Sequence, residues 1–530
     1  MRLPFILLAA ILSAAVGPAS SFAKDFKLSI LHINDVHSRI EPINKFNSTC
    51  RPSYNVVGEC FGGMARVKTA IEARRSALEA AGRHVLTLDA GDQFQGSLFY
   101  STYKGMVAVE LMNQIGFDAM AVGNHEFDNG PENLAKFADR ANFPLLFANT
   151  NISNEPILAG KIKSHIIKSF GRERVAIIGI LAEDTDETSS PGENVSFIQS
   201  ETVLKKLIAK LEADGVNKII LLSHVGLPRD KQIAAAVNGI DVIVGGHSHS
   251  LLKIYPTVVK APNGQAVPIV QAYAYSKYLG ELTVTFDAQG HVSKAKGRVW
   301  ELNAVVREDS AFAAFIAQKA APIEELKRKV IGNSRALING DRKTCRAKEC
   351  SMGNLVADAM LARSEKQGIS IAILNSGSLR ASIDTGAITM GEVVTVLPFQ
   401  NTLSTFQLKG SDIIAALENG VSQVETGAGR FPQVAGLRFT FDSKNEVGQR
   451  VSDVLVRGPD GKYSPIDPEQ IYGVATNDYL RSGGDGYKLF KTRGLKTYDF
   501  GPGLDEVVAH YIASLGGTYR PYVDGRITVR

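Results

Sequence analysis

The sequence is short of several things, and each shortage excludes something. Only four of its 530 residues are cysteine. No two of them form a C-x-x-C pair, so the commonest structural zinc signature is missing. No apolar run reaches the ~20 residues that a membrane span needs. "LPFILLAAILSAAV" (3–16) falls short, and the C-terminal "YVDGRITVR" is polar, with no hydrophobic tail for a GPI anchor. An excess of one charge is missing too. A net charge of +5, with no dense basic run, predicts no nucleic-acid binding. No internal repeat or low-complexity segment follows residue 23.

What is present describes a soluble globular chain. It is 44% hydrophobic and 21% charged, and its length predicts two to four domains. Arg2, the apolar stretch after it and the small residues Ser21 and Ala23 make a secretory signal peptide over 1–23, cut after Ala23. The expected destination is the periplasm or the extracellular medium. All four cysteines lie beyond that cut. Four cysteines allow three pairings, of which Cys50 with Cys60 and Cys345 with Cys350 is the simplest. Disulfides suit an exported protein better than a metal site split across such a distance.

From about residue 25 to 300 one theme recurs, a short Val/Ile/Leu-rich run ending in polar, glycine-rich residues. The runs are "KLSILHIND" (27–35), "HVLTLDAGD" (84–92), "FDAMAVGNH" (117–125), "KIILLSHVG" (218–226) and "DVIVGGHSH" (241–249). Such runs predict strands buried on both faces. Helical stretches at 62–82 and 200–215 lie between them, which predicts a layered α/β fold. The segment "EDSAFAAFIAQKAAPIEELKRKV" (308–330) has helical period and predicts a connecting helix, assigned to 308–334. It divides a first domain, 24–307, from a second, 335–530.

In open α/β sheets the chemistry sits beyond the carboxyl ends of strands. Each run ends there in a group able to bind metal. They are Asp35 and His37, then Asp92, then Asn124 with His125, then His224, and last His247 with His249. Any one of them alone is ordinary. "GNHEFDN" even resembles half of the H-E-x-x-H zinc motif, but Asn129 stands where the second histidine belongs. Together they account for five of the chain's ten histidines. Mixed Asp, His and Asn ligands suit a pair of divalent ions such as Zn, Mn, Co or Fe. A shared carboxylate can hold two such ions ~3.5–4 Å apart.

The series D-x-H, G-D, G-N-H-E-F-D, S-H and G-G-H-S-H, in this order, resembles the calcineurin-like metallophosphoesterases. "CRAKECSMGNLVADAM", "NSGSLR", "LPFQNTL", "GRFPQVAG" and "NDYLRSGGDGY" are similar to the C-terminal domain of secreted 5′-nucleotidases. The resemblance implies an α/β protein: a metallophosphoesterase β-sandwich flanked by helices, a linker helix and a second α/β substrate-binding domain. It implies that Asp35, His37, Asp92 and His249 hold one ion, and Asp92, Asn124, His224 and His247 the other. His125 is implied as the catalytic histidine, with Asp128 on its other nitrogen; Glu126 and Phe127 carry no assigned role. Arg346 and Arg380 are implied for the phosphate, Phe431 and Tyr479 for stacking on the base, Asn375 for the nucleoside and Asp485 for the ribose hydroxyls.

The implied activity is hydrolysis of nucleoside 5′-monophosphates, by in-line attack of a hydroxide that the metals activate. Cleavage of a pyrophosphate bond, as in UDP-sugars or NAD, is the rival enzyme reading. A non-catalytic nucleotide-binding protein is a third, and the presence of every expected ligand speaks against it.

Overall fold

The computed structural model describes residues 25–45, 50, 55, 58–399, 401–498 and 501–530. The expected signal peptide, 1–23, lies outside them. The first half is built on two sheets. One has seven strands in the order Val292–Glu301, Tyr278–Phe286, Phe26–Ile33, His84–Asp89, Ala119–Ala121, Leu145–Leu146, Ile162–Lys163. The other has six, in the order Thr257–Lys260, Ala266–Val270, Val242–Gly245, Ile219–His224, Glu173–Leu181, His165–Phe170.

All five predicted runs contain a strand of these sheets, and neighbours among them run parallel: Phe26–Ile33 with His84–Asp89, the latter with Ala119–Ala121, and Ile219–His224 with Val242–Gly245. The sheets pack face to face. Leu28, Ile30, Leu86 and Leu88 of one share a core with Ile177, Ile220, Leu222, Val242 and Val244 of the other.

Helices cover both outer faces. Met64–Ala80, Met106–Ile115 and Gly130–Arg140 pack on the seven-stranded sheet. Ser200–Ala213 and Leu227–Ala236 pack on the other. Coverage on both faces explains why the strands read as continuous apolar runs rather than alternating ones. All six residues of Ile219–His224 are buried.

The connecting segment is shorter as a helix than its period predicts. It is helical over Ser310–Ala320, tightens at Ala321–Ile323 and resumes as Glu324–Arg328. Pro322 has no amide hydrogen to donate within the helix, which accounts for the break. Val330–Ser334 is a strand, paired with Gly386–Thr389 and Thr518–Tyr519 of the second half. The helix is docked rather than free, for Phe312, Ile316 and Ile323 enter the core of the first half.

The second half has a five-stranded sheet in the order Pro432–Ala435, Ile371–Asn375, Ile471–Asn477, Leu403–Lys409, Leu495–Tyr498. Helices Ser351–Ser364 and Leu504–Ser514 pack over one of its cores and Gly410–Val421 over another. Two disulfides are formed, Cys50–Cys60 and Cys345–Cys350. Among the described residues no helix is long and apolar enough to cross a membrane.

Candidate active site

Five of the residues singled out at strand ends share one backbone feature. Asp35, His37, Asp92, His247 and His249 all have φ between +50° and +69°. This left-handed region is costly for residues with a Cβ, and it persists only where the surroundings impose it. Here the loops brace one another. Asp35 N donates to Gly91 O at 2.8 Å, His37 N to Asp92 O at 3.0 Å and Ser38 N to Gln93 O at 2.9 Å. Two glycines permit the close approach. A Cβ on Gly91 would lie 2.8 Å from His224 Nδ1, and one on Gly246 2.6 Å from Ala90 O.

The side chains so presented converge. His37 Nε2 is 3.0 Å from His249 Nε2, and His249 Nε2 is 3.3 Å from Asp35 Oδ1. Asp92 Oδ2 stands between the two histidine groups, 3.1 Å from His224 Nε2 and 3.7 Å from His37 Nε2. His247 Nδ1 is 3.0 Å from Asn124 Oδ1. Asp35, His37 and His249 offer ligand atoms within 4.8 Å of one another, and so do Asp92, His224 and His247.

Protonation follows from the neighbours. His37 Nδ1 is 3.0 Å from Phe94 O and His224 Nδ1 2.5 Å from Ala90 O. A carbonyl only accepts, so both Nδ1 atoms carry hydrogen and Nε2 is the nitrogen that each ring turns toward the cluster, that of His37 3.2 Å from Arg380 Nη2. Burial pushes His37, His247 and His249 well below the ordinary imidazole value. Burial opposes charge on His224 as well, but Asp92 and Asp35 outweigh it and raise His224 to about 10. The carboxylates draw positive charge to a place where imidazole nitrogens converge, and with His224 giving up its proton on binding that donor set fits divalent metal ions.

His125 faces a different partner. Its Nδ1 lies 2.6 Å from Asp128 Oδ2, and Ser189 Oγ donates to Asp128 Oδ1 at 2.6 Å. Burial opposes its charge, yet Asp128 and Asp92 raise its pKa above the ordinary value. Its backbone N–H donates to Asp92 Oδ1 at 3.0 Å, which ties the two segments together.

One cavity of about 340 Å³ joins the halves. From the first half Asp92, Asn124, His125, Asp128, His247 and His249 line it. From the second come Arg342, Arg346, Asn375, Arg380, Tyr479 and Asp485. Asp35, His37 and His224 lie buried beneath this wall. The three arginines are tethered at the wall of the cavity: Arg346 Nη1 donates to Gly427 O at 3.2 Å, Arg380 Nη2 lies 3.2 Å from His37 Nε2 and Arg342 Nη2 3.5 Å from His247 O.

Asp485 accepts from Asn375 Nδ2 at 2.6 Å and from the Tyr479 hydroxyl at 3.2 Å. Burial raises its pKa, against the pull of Asn375 and of the Arg346 charge.

Phe431 is the one predicted substrate residue that does not reach the cavity. It is fully buried in the second half's core, with its ring 5.6 Å from Phe441. Pro432–Ala435 pairs with Ile371–Asn375, which fixes the backbone there, and a large apolar ring is best satisfied on the core side.

Other residues matter that the sequence did not disclose. Glu126 is fully buried and accepts from the backbone N–H groups of Asp92, Gln93, Phe94 and Gly123 at 2.7–3.2 Å. Burial pushes its carboxyl up to about 7, with the Asp92 charge adding. Asn34 donates to Asp35 Oδ2 at 2.7 Å and to Tyr273 O at 2.6 Å. Arg342 precedes Arg346 by four residues, one helical turn, and that spacing was its only signal.

Residues 28–251 match the calcineurin-like phosphoesterase family, and residues 330–492 the 5′-nucleotidase C-terminal domain. The rat 5′-nucleotidase is 37% identical over 542 residues, spanning 97% of this chain and 92% of its own. The crystal structure of a 5′-nucleotidase precursor from Thermus thermophilus superposes with a TM-score of 0.89 at 40% identity, covering 95% of this chain and 99% of that one. An NAD nucleotidase from Haemophilus influenzae is 28% identical with a TM-score of 0.56, covering 96% and 99%. With such identity sustained along nearly the whole length of both partners, the chain belongs to the 5′-nucleotidase family.

Proposed function

We propose that the protein is an exported, metal-dependent 5′-nucleotidase that converts nucleoside 5′-monophosphates to nucleoside and phosphate. The observation that carries this is the single cavity in which His125 and the metal-binding cluster of one half face the arginines, Tyr479 and Asp485 of the other. Asp35, His37, Asp92 and His249 would hold one divalent ion. Asp92, Asn124, His224 and His247 would hold a second, and Zn, Mn, Co or Fe suits the donors. When bound, such ions supply Lewis acidity toward the phosphoryl oxygens and the attacking water.

The chain's own groups do the rest. With Nδ1 engaged by Asp128, His125 has Nε2–H free to donate to a phosphoryl oxygen, and its raised pKa favours the charged form that does this best. Arg342, Arg346 and Arg380 supply forked donors to the remaining phosphoryl oxygens. The Asp485 carboxylate keeps acceptor capacity beyond the bonds from Asn375 and Tyr479, which suits sugar hydroxyls. The Tyr479 ring offers an aromatic face at the same wall. In the reaction a water oxygen bonds to phosphorus and gives up a proton, the P–O5′ bond breaks, and the departing nucleoside oxygen takes up a proton, so that none is gained or lost overall.

A substrate panel on the metal-loaded protein tests the reading. AMP should yield adenosine and phosphate. If instead UDP-glucose gives UMP and NAD gives AMP, with AMP itself left uncleaved, the same cavity serves a pyrophosphatase.

A further inference from the structure

The stretch "LPFQNTL" (397–403) belongs to the second half, and nothing so far gives its aromatic residue a task. Phe399 stands at the seam. It follows helix Met390–Val396 and lines the cavity. Its ring centroid is 5.5 Å from that of His125 with the planes 28° apart, a stacked arrangement across the two halves. The guanidinium carbon of Arg380 is 5.4 Å from the same centroid. One phenyl ring therefore touches both a histidine of the first half and an arginine of the second. His125 and Arg380 are like-charged when the imidazole is protonated, and each disfavours the other. A phenyl face carries negative quadrupole density that attracts both.

We propose that Phe399 is a positioning residue: its ring, presented by the second half, stacks on the His125 imidazole and holds it beside Arg380, so that the pair is complete only when both halves are docked. The inference rests on the 5′-nucleotidase reading, in which both groups face the phosphate. Asp128 holds the His125 ring through one nitrogen and His37 packs against it edge-on, with centroids 5.2 Å apart, while Phe399 is the ring that stacks on its face and so resists tilting about the Asp128 bond. The effect belongs to the phosphoryl end of the site and has nothing to do with the base.

The test uses the full-length, metal-loaded protein with AMP and with an aryl phosphate. Phe399→Leu removes the ring and keeps apolar bulk, whereas Phe399→Tyr keeps the ring. Phe399→Leu should lower kcat about 2- to 30-fold on both substrates, the range spanned by a cation–π contact. Its KM for AMP should stay within about 2-fold, and Phe399→Tyr should retain wild-type kcat. Phe399→Met, a flexible ringless alternative, replaces Phe399→Leu should the latter not fold.

The inference is overturned by a ringless variant with wild-type kcat. It is equally overturned by a loss confined to KM for AMP, which would make the ring a wall for the base, and by Phe399→Tyr falling as far as Phe399→Leu. A wild-type protein that releases phosphate from neither substrate removes the 5′-nucleotidase reading and this inference with it. An active wild type with an unaffected Phe399→Leu removes the inference alone.

Discussion

Phe431→Ala separates a core residue from a base-stacking one. The ring has no exposed surface and packs among Phe441, Ile373, Leu417 and Val434 in the second half's core. Truncating a buried phenylalanine to alanine costs about 3–5 kcal/mol, because the cavity left behind closes only in part. For a unit of this size each kcal/mol lowers Tm by about 2–4 °C, so a fall of about 6–20 °C is expected. The backbone at this position also matters, since Ser376 N donates to Phe431 O at 2.8 Å and so holds the segment that leads to Arg380. Activity on AMP and on an aryl phosphate should therefore decline together, and calorimetry should show the lowered transition. A variant that melts like the wild type yet loses AMP hydrolysis selectively would refute the core placement and return Phe431 to the base.

The other predictions concern the cavity itself. Chelation should abolish activity and Mn²⁺, Co²⁺ or Zn²⁺ should restore it. Asp92→Ala should be the most damaging ligand change, with metal analysis of the fully active protein giving two ions per chain. His125→Ala should keep the metals and lower kcat by about 10²–10⁴-fold; loss of a metal in that variant would show that the residue is a ligand instead. Because the His125 shift is upward, its protonated form persists above the ordinary imidazole value of about 6.5 and activity should fall only at higher pH. Asp128→Asn should move that alkaline limb to lower pH in a pH–rate profile. Tyr479→Ala should cost AMP about 5- to 150-fold in kcat/KM, the worth of one stacked ring, and leave the aryl phosphate nearly untouched.

Much of the fold was legible because buried parallel strands announce themselves. Five apolar runs predicted five strands, and their polar ends are the residues that meet at the cluster. What periodicity could not show was where a strand stops. The run at 117–125 forms only the three-residue strand Ala119–Ala121, after which the chain tightens into Asn124–Phe127 to present Asn124 and His125. The helix assigned to 308–334 is present over 310–328 and falls short at its end for a similar reason. Alanine and charge favoured it throughout, but Pro322 interrupts it, and sheet pairing took Val330–Ser334. Phe431 shows a further limit, since a motif can give a residue's identity and not the side of the backbone on which its ring lies.

Residues that act by supporting others are the hardest to read from sequence, and Glu126 shows why. It adjoins the motif histidine, yet three of its four partners lie more than thirty positions away in the loop that begins at Asp92. That loop needs it. Asp92 sits at φ 60°, a conformation that gathers successive N–H groups on one side, and a buried carboxylate facing them satisfies donors that would otherwise be lost to solvent exclusion. Asp35, itself at φ 51°, is steadied in the opposite sense, its carboxylate accepting from Asn34 Nδ2 at 2.7 Å and from the backbone N–H of His247, 3.0 Å from both of its oxygens. The left-handed residues at the strand ends are thus held by partners drawn from distant segments. Carboxylates and imidazoles held by such partners cost a bound cation less to order than unsupported side chains would.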